Sequence, residues 1–312
     1  MEEGPAGSNL AAQWTRRRFL TWGVGGALAV VAGGVAGVEL VSHGVLPGKS
    51  VLDQIDGACA VPSPPWQFAT PGVEHGGTFY SEWRRRMVRY AVAYPPGHGP
   101  GSELPLVVVL HAFGANHANA LAGLTLRQAC ALRVDGRALP PMALVAADGG
   151  NGYWHPHPGD DPMGMVVNEL IPMCQRTGLG TTPEKIGTLG ISMGGYGAVL
   201  LGEKHPHLFS AVAAISPAIW TTYDQARSAN PGAYASARDF AANNAVTHAR
   251  SLAGLAVRVA SGDDDPFHPG VEALVKALPP GATVDLSGGC HTGPFFRAQE
   301  GPSLAFLGEH LT

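Results

Sequence analysis

Residues 190–194 read Gly-Ile-Ser-Met-Gly and fit the pattern G-x-S-x-G, in which a serine stands on a sharp turn between a strand and a helix. The surroundings have the required order, because the apolar run 185–190 predicts a buried strand and the segment 196–203 predicts a helix. Such a turn lifts the serine Oγ above the sheet, and the flanking glycines let neighbouring backbones approach closely. The pattern therefore predicts Ser192 as a nucleophile.

A serine hydroxyl is a poor nucleophile unless a histidine takes its proton and a carboxylate orients that histidine. On this kind of turn the chain order is serine, acid, histidine. His291 lies between the last predicted strand and the terminal helix and is the expected base. Three adjacent carboxylates occupy 263–265, and Asp265 is the first choice as the acid, with Asp264 second. All three cannot be buried and ionised without large cost, so at least one is expected to face solvent or backbone amides.

Attack on a carbonyl produces an oxyanion that needs two preorganised hydrogen-bond donors. The backbone N–H of Met193, next to the predicted nucleophile, is the expected first donor. The second is expected from the loop 111–114, which follows a buried strand, and the Phe113 amide is the preferred choice. His111 is expected to brace this loop rather than to act as the base.

The loop that begins at Asp148 is predicted to line the substrate pocket, with Trp154 as a substrate-binding residue. Trp220 is predicted to line the acyl pocket, and ordinary packing is an equally good interpretation of its position. A metal site can also be drawn in this region, from His155, His157, Asp160 and Asp161. A pocket-lining loop is the better interpretation, so the predicted reaction needs no metal and no other cofactor.

Strands alternate with helices along residues 76–312, as is typical of a parallel sheet wrapped by helices on both faces. Apolar runs predict buried strands at 104–110, 142–147, 185–190, 211–215, 255–260 and 282–286. Segment 86–94 alternates polar and apolar residues and predicts an exposed antiparallel strand. Helices are predicted at 115–132, 166–178, 196–203, 271–278 and 302–310. The fold class is therefore α/β, with a mostly parallel central sheet. The polar segment 220–248 is too long for a plain connection and predicts a small cap or lid.

The N-terminal region has the layout of an export signal, because arginines at 16–18 precede a weakly apolar run at 19–38. The paired arginines followed by Phe-Leu resemble a twin-arginine signal. A cleaved signal and a retained membrane anchor are both open. We expect an exported protein of the cell envelope, with residues 1–44 as signal or anchor, 45–75 as a Pro/Gly-rich tether and 76–312 as the catalytic domain.

Composition excludes some classes of partner. The chain is 45% hydrophobic with a formal net charge of −4 and no basic cluster outside the N-terminus, which argues against a nucleic-acid partner. No two of the four cysteines have the spacing C-x-x-C, so a zinc knuckle or a thioredoxin-like site is not expected. In an oxidising compartment the even count permits one or two disulfides. A membrane partner is expected only through the N-terminal segment, if it is uncleaved.

Residues 80–312 resemble the esterase D family of α/β-hydrolases, which includes S-formylglutathione hydrolases, feruloyl esterases and secreted mycolyltransferases. The motifs that carry the resemblance are at 110–114, 168–172, 190–197, 262–267 and 288–291. The chain departs from the family pattern at Ala112, where the family usually has glycine. The resemblance implies an α/β-hydrolase fold and a serine-dependent reaction on ester substrates.

The sequence thus predicts an exported serine esterase that cleaves small-molecule or lipid carboxylic esters through a Ser192 acyl-enzyme. One alternative is an acyltransferase that passes the acyl group to a sugar or lipid hydroxyl, as the resemblance to mycolyltransferases suggests. Another is a non-catalytic cell-surface binding protein on the same scaffold, since fold does not fix function.

Overall fold

The computed structural model describes residues 59–62, 64–181 and 185–312. Residues 61–312 form one compact unit. The predicted signal or anchor lies outside the described residues, and so do residues 45–58 and 63 of the predicted tether. Within those residues, no helix combines the length and the apolar character that crossing a membrane requires.

Eight strands form the central sheet of the described chain, in the order β11-β10-β9-β8-β4-β7-β3-β2. The strands β4 and β7 to β11 pair in parallel, whereas β2 and β3 are antiparallel to their neighbours. A small second sheet has the order β1-β5-β6. The strands are β1 (Gln67–Phe68), β2 (Glu74–Ser81), β3 (Arg86–Ala93), β4 (Leu106–Leu110), β5 (Leu132–Val134), β6 (Arg137–Ala138), β7 (Ala143–Ala147), β8 (Ile186–Ile191), β9 (Ala211–Ile215), β10 (Ala256–Gly262) and β11 (Thr283–Ser287).

Central strands consist of apolar residues throughout because both faces of the sheet are covered. In β4, Val108 packs into the core on one face, while Val107 and Val109 pack into the core on the other. Alternate side chains of a strand point to opposite faces, so a continuous apolar run is what two cores require. This arrangement confirms the predicted α/β class with a mostly parallel sheet.

Helices cover both faces of this sheet. They are α1 (Leu126–Cys130), α2 (Pro162–Met165), α3 (Ile171–Gln175), α4 (Met193–Lys204), α5 (Tyr223–Ala229), α6 (Ala237–Ala242), α7 (Ala245–His248), α8 (His268–Ala277) and α9 (Gly293–Leu311). A π-helical stretch, Val166–Leu170, joins α2 to α3. The segment 220–248, predicted as a lid, contains the three short helices α5 to α7.

The predicted helix at 115–132 is wrong in extent. The structure has a 3₁₀ turn at His117–Asn119 and then the short helix α1, each begun by its own capping residue, Asn116 and Thr125. Between them Gly123 lies against Arg297 and Trp66, where a Cβ would overlap both side chains. Alanine and leucine content favours a helix, but this close approach and the second cap divide the segment.

Candidate active site

Ser192 lies on the turn between β8 and α4, at the edge of the sheet where the parallel strands end. We call this the carboxyl edge. The backbone of Ser192 has φ of 57°, a left-handed conformation that is uncommon for a residue with a side chain. A Cβ at Gly190 would overlap the carbonyl of Gly194, and one at Gly194 would overlap the carbonyl of Leu110. The turn therefore requires glycine on both sides of the serine.

Three predicted residues meet at this edge through two hydrogen bonds. His291 Nε2 lies 2.8 Å from Ser192 Oγ, and His291 Nδ1 lies 2.8 Å from Asp265 Oδ2. With a neutral imidazole, Nδ1–H donates to the carboxylate and the Nε2 lone pair accepts the serine proton. The arrangement spans residues 99 apart in the chain and holds the serine proton next to a base.

The run of carboxylates 263–265 is divided between solvent and interior. Asp265 is 3% exposed, and its second oxygen, Oδ1, accepts a hydrogen bond from the Phe267 amide. Asp263 is exposed and accepts from the Gly289 amide. The structure thus places Asp265, and not the second choice Asp264, on the imidazole.

Both predicted oxyanion donors lie at the carboxyl edge with their amides open. Met193 is the first residue of α4, where a helix leaves its N–H groups without intrahelical acceptors. Neither the Met193 amide nor the Phe113 amide has a hydrogen-bond acceptor among the residues that the structure describes. The positive end of the α4 dipole also points to this site.

The side chain of His111 holds the peptide that presents the Phe113 amide. His111 Nδ1–H donates to the carbonyl of Ala112 over 2.8 Å, and Nε2 accepts from the Gly149 amide over 2.9 Å. Carbonyl and N–H point in opposite directions in a trans peptide, so fixing the Ala112 carbonyl also fixes the direction of the Phe113 N–H. Burial lowers the pKa of His111 and keeps the imidazole in the neutral form that these two bonds require.

With this geometry established, comparison with known proteins places the chain. A family model described as "Putative esterase" matches residues 81–278, which is more than half of the chain. The chain belongs to the putative esterase family. Membership makes it a hydrolase of the esterase type and confirms the resemblance drawn from the motifs. A comparison with curated proteins gives no match.

Solved structures of related hydrolases share the fold of this esterase. A ferulic acid esterase aligns with a TM-score of 0.63 at 18% identity, over 78% of this chain and 100% of its own. An S-formylglutathione hydrolase from Agrobacterium tumefaciens aligns with a TM-score of 0.62 at 18% identity, over 80% and 99%. FphF, a fluorophosphonate-binding serine hydrolase of Staphylococcus aureus, aligns with a TM-score of 0.59 at 12% identity, over 77% and 99%. Together with the eight-stranded sheet, these likenesses show the α/β-hydrolase fold.

Trp154 of this esterase is buried and contacts the loop 111–114 that follows β4. Its side chain is 1% exposed, and its ring packs against Gly149 and Gly197. The indole N–H donates to the carbonyl of His111 over 3.2 Å. The predicted substrate contact of Trp154 is therefore not what the structure shows, because almost none of its surface can reach a ligand.

An aromatic row extends from the imidazole to the neighbouring loop. Trp220 packs edge-on against Phe267 at 4.6 Å between ring centroids, and Phe267 lies 5.0 Å from His291. The indole N–H of Trp220 donates to the hydroxyl of Tyr153 over 2.9 Å. Phe296 packs against the other side of the imidazole at 5.0 Å. Trp220 thus belongs to a row of aromatic side chains that reaches the imidazole, and its place in an acyl pocket stays a prediction.

Sequence reasoning did not identify three of these aromatic residues: Tyr153, Phe267 and Phe296. Tyr153 adopts φ of 56°, a strained conformation that a sequence does not reveal. Phe267 is separated from Trp220 in the chain by the helices α5 to α7, a 3₁₀ helix and β10. One signal was available, because Phe267 and Phe296 each lie within a few residues of a predicted triad member.

The four residues considered for a metal site serve the protein framework. His155 Nε2 donates to the carbonyl of Ala233, and His157 Nε2 donates to the carbonyl of Gly152. The carboxylates of Asp160 and Asp161 bond to the Arg84 guanidinium and to the amide at the start of α2. Among the described residues, no group of three or more His, Cys, Asp or Glu side chains is placed to hold a metal ion. Cys130 and Cys174 are buried free thiols, whereas Cys59 and Cys290 are disulfide-bonded.

Proposed function

We propose that this protein hydrolyses carboxylic esters through a covalent acyl-enzyme on Ser192. The observation that carries the proposal is the continuous hydrogen-bond path from Asp265 through His291 to Ser192, with 2.8 Å in each step. A path of this kind is needed to remove the serine proton, and it serves little purpose in a packing turn. The open amides of Met193 and Phe113 supply the donors that the oxyanion needs.

Ser192 Oγ attacks the ester carbonyl carbon while His291 Nε2 takes the hydroxyl proton. The carbonyl oxygen becomes an oxyanion and accepts hydrogen bonds from the Met193 and Phe113 amides. The bond to the leaving oxygen then breaks, and His291 returns the proton so that the alcohol departs. Water repeats the sequence on the acyl-enzyme and releases the acid, while Asp265 stabilises the imidazolium formed in each half.

The test is hydrolysis of p-nitrophenyl esters from C2 to C16 by the full chain, beside the variant Ser192→Ala. We expect the substitution to lower kcat by about 10⁴-fold or more while leaving the thermal unfolding curve unchanged. A fluorophosphonate should label the wild type and not the variant. Equal turnover by both proteins would disprove the assignment, and a folded wild type without labelling would favour a binding protein.

The same assay distinguishes water from an alcohol as the acyl acceptor. Glycerol or trehalose is added, and the products are identified by mass spectrometry. Free acid alone supports hydrolysis. An acylated alcohol as the main product would instead support the acyltransferase alternative.

We also propose that the protein acts outside the cytoplasm, on the basis of the arginines at 16–18 and the apolar run that follows. Fractionation of cells producing the full chain tests this location. Replacement of Arg16 and Arg17 by lysine should retain the protein in the cytoplasm if a twin-arginine pathway exports it.

A further inference from the structure

The four most exposed large apolar side chains of the described residues all lie on the carboxyl edge of the sheet. They are Met87, Phe113, Tyr80 and Trp83, with exposed fractions of 61%, 57%, 54% and 45%. Three belong to the hairpin of β2 and β3, whose turn extends past the end of β7 because Tyr90 already pairs with Ala147. Phe113 belongs to the loop after β4. We call residues 80–89 the hairpin tip.

Among the residues that the structure describes, no element covers one face of the hairpin tip. Tyr80 and Met87 are direct cross-strand partners, so their side chains lie next to each other on one face. Ala91 lies on the same face further along β3, yet it is 6% exposed because α1 and the 3₁₀ turn pack there. That cover ends before the tip, where an apolar pair faces solvent.

The hairpin tip is held rigidly by contacts at its base. Arg84 is buried, forms a two-pronged ion pair with Asp160 and donates to the carbonyl of Asp148. Glu169 accepts hydrogen bonds from the Ser81 hydroxyl and the Glu82 amide. The indole of Trp83 lies directly over Gly164, where a Cβ would overlap its ring. The exposure of the apolar side chains is therefore fixed by the contacts at the base of the hairpin tip and does not depend on a flexible loop.

The outer charges of the hairpin tip are mostly positive. Residues 80–89 contain four arginines and one carboxylate, Glu82. Arg86 and Arg89 keep 55% and 69% of their side chains exposed, whereas their partners Asp160 and Asp148 lie underneath at about a quarter exposed. Arg85, Arg86 and Arg89 are thus exposed near the apolar side chains, whereas Arg84 is buried.

We propose that the hairpin tip docks onto a lipid surface with anionic headgroups. Trp and Tyr favour the boundary between water and acyl chains, and outward arginines attract the headgroups. The apolar groups project from a hairpin, whereas small-molecule ligands bind concave sites. Docking in this orientation turns the edge that carries Ser192 toward the bilayer. The surface does not depend on the proposed reaction, and its test needs no turnover.

The experiment measures tryptophan quenching by brominated acyl chains in phosphatidylglycerol vesicles, with phosphatidylcholine vesicles for comparison. The full chain is compared with Trp83→Phe, which keeps an aromatic side chain but loses this indole. The difference reports Trp83 alone, since every other tryptophan is common to both proteins. We expect a Trp83-specific signal on phosphatidylglycerol that is weaker by about fivefold or more on phosphatidylcholine.

A double variant, Tyr80→Thr with Met87→Thr, removes the apolar pair and keeps strand-forming residues. Its quenching should fall to the level of Trp83→Phe. The matched control is Val284→Thr with Leu286→Thr, a pair on β11 at the opposite edge of the sheet that is 39% and 38% exposed. This control should quench like the wild type.

Four results would overturn the proposal. One is equal quenching of the wild type and Trp83→Phe. Another is an equal loss in the double variant and its control. A third is loss of binding to insoluble xylan by the double variant without any lipid quenching, which would assign the hairpin tip to a polysaccharide. The last is equal Trp83-specific quenching on phosphatidylglycerol and phosphatidylcholine vesicles, which would show that binding does not require anionic headgroups.

Discussion

At the scale of single residues, the direction of each hydrogen bond determines which carboxylate can serve the reaction. Asp265 faces His291 Nδ1 from a buried position, and the Phe267 amide holds its other oxygen. An asparagine at this position can present its NH₂ group to Nδ1 and so favour the tautomer that carries its proton on Nε2. That tautomer cannot accept the proton of Ser192.

Asp265→Asn is therefore expected to lower kcat by about 10⁴-fold with little loss of stability. Asp264→Asn is the matched control, since it changes the neighbouring carboxylate in the same way. Rates on a short p-nitrophenyl ester, together with thermal unfolding, measure both variants. A similar loss of kcat in Asp265→Asn and Asp264→Asn would show that the carboxylates 263–265 act together and that Asp265 has no special position.

Residue types and chain order were enough to predict Ser192, His291 and the carboxylate run. They favoured Asp265 over Asp264, but the contact with the imidazole depends on the backbone path after β10, which only the structure shows. Tyr153 and the burial of Trp154 were also beyond the sequence. Both aromatic residues have a backbone of positive φ, 56° for Tyr153 and 58° for Trp154. This backbone places the Trp154 ring under the loop after β4 and the Tyr153 ring beside Trp220.

At the scale of elements, the loop after β4 is positioned by side chains rather than by its own turn. The His111 imidazole holds the Ala112 carbonyl, and the Trp154 indole holds the His111 carbonyl. Alanine occurs at position 112, and the structure accommodates it within this braced loop. The loop thus depends on a histidine that takes no part in proton transfer.

His111→Gln tests this brace. The glutamine oxygen can replace Nε2 as the acceptor for the Gly149 amide, but glutamine has no donor at the position of Nδ1 for the Ala112 carbonyl. We expect kcat to fall by about 10- to 100-fold at nearly constant KM, since an oxyanion donor acts on the transition state and a whole donor contributes about 10²- to 10³-fold. His117→Gln, on the same loop region, should leave kcat nearly unchanged. A rise in KM at constant kcat would instead indicate a substrate contact.

At the scale of the whole molecule, the alternation of buried strands and helices could be predicted from the sequence, because a sheet with a core on each face requires continuous apolar runs. Helix limits were less readable where a local contact competes with composition, as at Gly123. The burial of charged groups by elements distant in the chain could not be predicted from the sequence. Glu203 is an example, since a glutamate near a helix end normally faces solvent.

Burial raises the pKa of Glu203 to about 9, and neither carboxyl oxygen has a hydrogen-bond partner among the described residues. Between its ordinary pKa near 4.5 and this value, the folded protein keeps a proton that the unfolded chain loses. Stability from this group is therefore complete below the ordinary pKa and is lost as pH rises toward 9. The free energy of unfolding should decrease by up to about 1.4 kcal/mol per pH unit from this residue.

Glu203→Gln removes the titrating proton and keeps the shape of the side chain. We expect the difference in melting temperature between variant and wild type to grow in favour of the variant from pH 5 to pH 8. Glu103→Gln, at an exposed carboxylate, is the control and should shift both ends of that range equally. A pH-independent difference for Glu203→Gln would mean that the buried carboxyl ionises without penalty, through water or a local opening of the C-terminal turn of α4.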